Sequence, residues 1–188
     1  MNCITILITS ALCAFSTLAT AEQTAQARAA NLYSKGLAAM KVGEADTAEA
    51  CFREVLRIQP RNANARFQLS QLKLNRPILA AKKRQVQLQE VKLAKIEFEE
   101  LSLREALGAL DELVLRSTAE KFTPNFVVQD PGNLLEQRRF SLRLRNVPAS
   151  VVLRYCLDHA GASARYDEHV IVVKPLSKSS PTSSGGRK

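Results

Sequence analysis

The chain has 188 residues, room for one medium domain or two small ones, with ordinary globular proportions of 46% hydrophobic and 24% charged residues. Aromatics are only 5%, Trp is absent, and there are two His and four Cys. These counts argue against a base- or sugar-stacking protein, a zinc-dense module and a disulfide scaffold. The formal charge of +9 favours an acidic partner.

Residues 1–21 carry no charged side chain. Ile4, Ile6, Leu7, Ile8, Ala11, Leu12, Ala14 and Phe15 form a short apolar core, and Ala19-Thr20-Ala21 supplies small residues for a peptidase. This predicts a secretory signal peptide, although its start has no Lys or Arg. An uncleaved anchor is the rival, but Thr9, Ser10, Ser16 and Thr17 break the apolar run. Lipidation at Cys13 is disfavoured by Leu12 before it and by Ser10. No long apolar run follows, so no membrane span is expected after cleavage. The remaining Cys51 and Cys156 are either two buried thiols or a disulfide, which an oxidising compartment would allow.

Charge then divides the chain. Residues 22–94 hold 13 Lys/Arg and 6 Asp/Glu, residues 95–175 hold 11 and 12, and residues 176–188 hold 3 and none. The first part is rich in Ala and Gln, the second in Val, Leu and Phe. We expect a helical region over 25–75, a helical linker over 76–94, an α+β domain over 95–175 and a disordered Ser/Gly/Pro-rich tail over 176–188.

Across residues 25–60 the apolar positions recur at helical spacing. Leu32, Leu37, Ala38 and Met40 precede Gly43, and Ala48, Cys51, Phe52, Val55, Leu56 and Ile58 follow it. Gly36 and Ala48 would let two backbones approach, with Phe52 filling the gap. Gly36, Gly43, Ala48, Phe52 and Pro60 make this hairpin resemble a tetratricopeptide repeat, with departures at Leu32, Lys35 and Ala39. Residues 64–75 look like the start of a second repeat that Pro77 interrupts. The face left open then needs cover from residues 78–93, a second subunit or a partner. Lys82-Lys83-Arg84 reads as a solvated helix face or an anion-docking surface.

From Lys95 the period changes. Ile96 and Phe98 alternate with Lys95, Glu97 and Glu99, as in a half-buried strand. Ser102-Leu103-Arg104-Glu105 is a capping box opening a helix striped by Leu103, Ala106, Leu107, Leu110, Leu113 and Val114. A strand follows over 125–129, then the turn Asp130-Pro131-Gly132-Asn133. Residues 139–145 alternate cleanly, with Phe140, Leu142 and Leu144 on one face and Arg139, Ser141, Arg143 and Arg145 on the other. Pro148 starts a second helix and Gly161 stops it. Residues 162–166 and 170–173 close a hairpin around Asp167-Glu168-His169.

The predicted fold is α+β: a helical repeat hairpin followed by a β-α-β-β-α-β-β domain. Ile96-Glu97-Phe98, Ala106-Leu107, Asn125-Phe126-Val127-Val128, Leu142-Arg143-Leu144-Arg145-Asn146-Val147-Pro148, Leu153, Gly161, Tyr166 and Val170-Ile171-Val172 carry a resemblance. The segment is similar to the short N-terminal domain shared by secretins and TonB-dependent transducers, and departs from it in the linker over 120–124. That resemblance implies two helices packed between two small sheets and a role in docking another envelope protein. The pore or barrel that usually follows is not in the sequence.

The chain has no G-x-S-x-G, no Gly-rich phosphate loop, no H-E-x-x-H and no C-x-x-C. Cys156 and His159 share one helix at i and i+3, but no third orienting group is evident. Neither an enzyme nor a cofactor is expected. The expectation is a non-enzymatic exported adaptor of the periplasm or outer cell envelope, with another envelope protein as partner, self-association allowed, and no nucleic acid. Two surfaces are candidates: Tyr33, Leu37 and Lys41 on the first repeat helix, and Arg139, Arg143 and Arg145 on the alternating strand. The alternative is a polyanion binder, for glycan or anionic lipid, using the basic helical half.

Overall fold

The computed structural model describes residues 5–176, with side chains from residue 23 onward. The side chains of the expected leader and the expected tail from residue 177 lie outside the described residues. The chain divides into two compact units after Ala80.

The first unit holds α1 (Thr5–Val42), α2 (Ala45–Ile58) and the first part of α3 (Ala63–Glu90). Gly43, at φ 85°, turns α1 into α2. The two helices pack around Ala39, Ala48 and Phe52, joined by Leu72 and Leu79 of α3. Tyr33, Leu37, Met40, Ala45 and Leu69 border this cluster.

Pro77 does not interrupt α3, contrary to the sequence expectation. Pro lacks an N–H and leaves one carbonyl of the preceding turn unbonded. Here Pro77 and Lys73 are both exposed, so water can satisfy that carbonyl. Burial of Leu72 and Leu79 on either side holds the helix through the break.

The second unit runs in the predicted order: β1 (Lys92–Ser102), α4 (Leu103–Ser117), β2 (Phe126–Val128), β3 (Arg139–Pro148), α5 (Ala149–Ala160), β4 (Ala162–Tyr166) and β5 (Ile171–Pro175). Thus β1 begins three residues before the expected domain start. β1 and β3 form an antiparallel two-stranded ribbon. β2, β5 and β4 form a second sheet in that order, with β2 parallel to β5 and β4 antiparallel to it. The helices lie between the sheets, α4 against β1 and β2, and α5 against β3 and β4. Their stripes meet in one core that includes Leu103, Leu107, Leu110 and Val114 of α4 and Val152, Leu153, Cys156 and Leu157 of α5.

Two local features fix this geometry. The capping box is formed: the Glu105 N–H donates to Ser102 Oγ at 3.4 Å, and the Ser102 N–H donates to Glu105 Oε2 at 2.8 Å. Between Phe98 and Leu101, β1 carries a bulge, with Glu100 at φ 49°. The bulge explains why the core-facing positions change phase from the buried Ile96 and Phe98 to the half-buried Leu101.

The box gives a pH-dependent prediction. The Ser102 backbone N–H, and next its hydroxyl, hold the Glu105 carboxyl below its ordinary range. The stability this contributes is present above the ordinary Glu pKa and is lost as pH falls through the lowered folded value. Ser102→Ala removes the hydroxyl and leaves the backbone N–H. It should cost about 1 kcal/mol and raise the Glu105 pKa part of the way. NMR titration of Glu105, with melting temperature against pH, checks both; an unmoved titration with an unmoved melting curve would refute the capping role.

Candidate functional site

The outer face of the ribbon carries charged side chains from both strands. There Glu97 lies opposite Arg143 and Lys95 opposite Arg145, while Arg139 pairs in register with the buried Ser102. Arg139 Nη1 donates to the Glu100 carbonyl at 2.8 Å, and its guanidinium lies 3.7 Å from Glu105. Ser141 Oγ accepts from the Glu100 N–H at 3.0 Å. Arg139 and Ser141 therefore clamp the bulge. Arg143 pairs with Glu99 at 2.8 Å. Arg145 makes no ion pair among the described residues, though its charge helps hold Glu97 low. The main cause there is the hydrogen bond from Lys95, followed by its charge and that of Arg143. All three candidate arginines are exposed on one strand, and Arg145 is the least engaged.

Among the described residues β3 pairs only with β1, so its other edge presents free backbone donors and acceptors. A cleft of about 360 Å³ lies between β1 and α4. Phe98, Leu101, Ala109 and Leu113 form its apolar floor, and Lys95, Glu97, Glu112 and Arg116 stand around it. Sequence reasoning missed this cleft. The available signal was Leu113, which belongs to the apolar stripe of α4 yet stays only half-buried.

The second candidate surface separates. The Tyr33 ring lies 5.5 Å from that of Phe52 at 58°, and Leu37 packs on the same cluster. Both are half-buried, while Lys41 is exposed. Tyr33 also borders a cleft of about 170 Å³ lined with carboxamides from Gln26, Gln59, Asn62 and Asn64.

The basic triplet also separates. Lys82 and Lys83 are exposed, but Arg84 donates to the carbonyls of Thr123 and Pro124 at 3.1 Å and of Glu168 at 3.2 Å. Burial lowers the Arg84 pKa. It raises that of Asp111, whose carboxylate accepts from the Asn125 N–H. Arg84 thus fastens the end of α3 to the loop before β2 and to the β4–β5 turn. No local pattern marked it apart from its two neighbours.

Comparison with protein families, curated proteins and solved structures found no match to this chain.

Cys156 is fully buried, and that burial pushes its thiol up to about 12. His159 is exposed and stacks on Phe140 at 5.6 Å. A protonated, enclosed thiol is a packing group and a poor nucleophile. Cys51 is likewise buried, and both cysteines are free. Among the described residues no group of three His, Cys, Asp or Glu could hold a metal, and no helix is long and apolar enough to cross a membrane.

Proposed function

We propose that this chain is an exported, non-enzymatic adaptor of the bacterial cell envelope that docks another envelope protein through the β1–β3 ribbon. One observation carries the reading. Among the described residues the ribbon has only two strands, so β3 offers a free edge flanked by exposed arginines. An extended partner segment can add to such an edge through main-chain hydrogen bonds, and its side chains then set specificity. Arg143 and Arg145 favour a strand that carries carboxylates. The signal-like first segment and the resemblance to the short secretin and TonB-transducer domain support the envelope setting.

The rival, a polyanion binder, draws on the net charge of residues 22–94. Several of those cations are already engaged within the unit. Arg28 and Arg57 pair with Glu54, Arg53 with Glu49, and Arg76 with Asp46 and Glu49. That internal pairing favours the adaptor.

Photo-crosslinking from a probe residue at Ser141, in envelope extract at low and high salt, tests the choice. One protein adduct at both salt levels, lost with Arg143→Glu/Arg145→Glu, is the expected result. Capture of only glycan or lipid anions, and only at low salt, would replace this reading with the rival.

A further inference from the structure

We infer that the outward face of α3 in the first unit binds an acidic amphipathic helix of a partner protein. This rests on the adaptor reading and gives it a second, chemically defined contact. Phe67, Leu74 and Ile78 are 58%, 74% and 67% exposed. At about 100° per residue they share an arc roughly 40° wide, opposite the side of the half-buried Leu69 and the buried Leu72 and Leu79, and span about 16 Å of helix. A helix with one buried seam needs only one apolar stripe, and α3 has two.

Charge identifies the occupant. No carboxylate lies between Glu54 and Glu90 in the sequence. One flank of the stripe carries Arg66 and Lys73, and the other carries the carboxamides of Asn64, Gln71 and Asn75. Among the described residues Lys73 has no ion pair, and Arg66 donates to the Pro60 carbonyl, so neither charge is neutralised by a carboxylate. A second copy laid antiparallel on this face would set basic flank against basic flank, and one laid parallel would set basic flank against carboxamides, so neither supplies a carboxylate. The stripe also exposes only on the order of 400 Å², about half of the roughly 800 Å² per partner buried in a stable association. A short foreign helix with an apolar stripe and a carboxylate flank satisfies the charge, and an area this small fits a contact of modest affinity.

The probe is a synthetic helix-forming peptide of about 20 residues with a Leu stripe flanked by Glu. The control is the same peptide with Lys in place of Glu. Fluorescence anisotropy with the full-length protein should show the Glu peptide binding at least about tenfold more tightly than the Lys peptide. Leu74→Ser/Ile78→Ser should weaken the Glu peptide by about tenfold, and Lys73→Glu should narrow the preference between the peptides. These side chains are exposed, so circular dichroism of the variants should match the parent. Equal binding of both peptides, or binding indifferent to the three substitutions, overturns the inference. So does a concentration-dependent dimer that Leu74→Ser abolishes, since a second copy would then be the occupant. If the Ser141 crosslink persists while the Glu peptide fails, this inference falls and the adaptor reading stands.

Discussion

Phe52→Ala should cost about 3–5 kcal/mol, the largest loss available to a single truncation in the first unit. Phe52 is fully buried, and its ring fills the gap between α1 and α2. The fit is close: a Cβ built on Gly36 would sit 2.7 Å from Phe52 Cε1. That distance also explains why position 36 needs Gly, since any side chain would have to displace the ring. The cavity left by Ala cannot collapse easily, because Tyr33, Ala48 and Leu72 approach it from three helices. Small domains have stabilities of about 5–15 kcal/mol, so the loss would leave the hairpin near its unfolding threshold. Hydrogen exchange should show α2 amides losing most of their protection while amides of α4 and α5 keep theirs, because the two units have separate cores. Unchanged protection in α2 would show that the ring is not the centre of the unit. Gly36→Val should destabilise the same helices by overpacking, at about 1–3 kcal/mol.

Leu110→Ala in the second unit should cost about 2–5 kcal/mol, the range for a fully buried leucine. Leu110 has no exposure and lies in the α4 stripe that faces α5 and the ribbon. The same chemical change at Leu74, which is 74% exposed, should stay within about 0.5 kcal/mol. Chemical denaturation of the two variants compares them directly. Equal shifts at the two positions would mean that the packing of the second unit does not depend on this stripe. The comparison also separates Leu74 from fold maintenance, which its proposed binding role requires.

Legibility followed the range of each interaction. The α4 cap was readable because Ser102 and Glu105 form it within four residues. The β3 alternation was readable because one face is buried and the other wet, and the β4–β5 hairpin because Asp167-Glu168-His169 interrupts the apolar run. The parallel pairing of β2 with β5 joins segments more than forty residues apart, so local pattern could not show it. The bulge at Glu100 was hidden because Glu has no preference for positive φ. The change of phase between Phe98 and Leu101 was its trace. Pro77 misled because a helix-breaking residue is weighed locally, whereas Leu72 and Leu79 of α3 hold the helix through it by packing against α1 and α2. Of the candidate surfaces, the arginines of β3 were recognisable from alternation. The inward packing of Tyr33 and Leu37 depends on Phe52 of α2 and on Leu72 and Leu79 of α3, contacts that local pattern does not show.

The arginine row on β3 bears on pairing between copies through the free edge. An open strand edge is a template for fibre growth. A two-fold pairing of β3 with its own copy centred on Ser141 sets Arg139 against Arg143, and one centred on Leu142 sets Arg139 against Arg145. Like charges directly opposed destabilise a strand pair, and the kink at Glu100 blunts the neighbouring strand as a second template. The edge thus discourages homotypic stacking while remaining open to a strand of opposite charge.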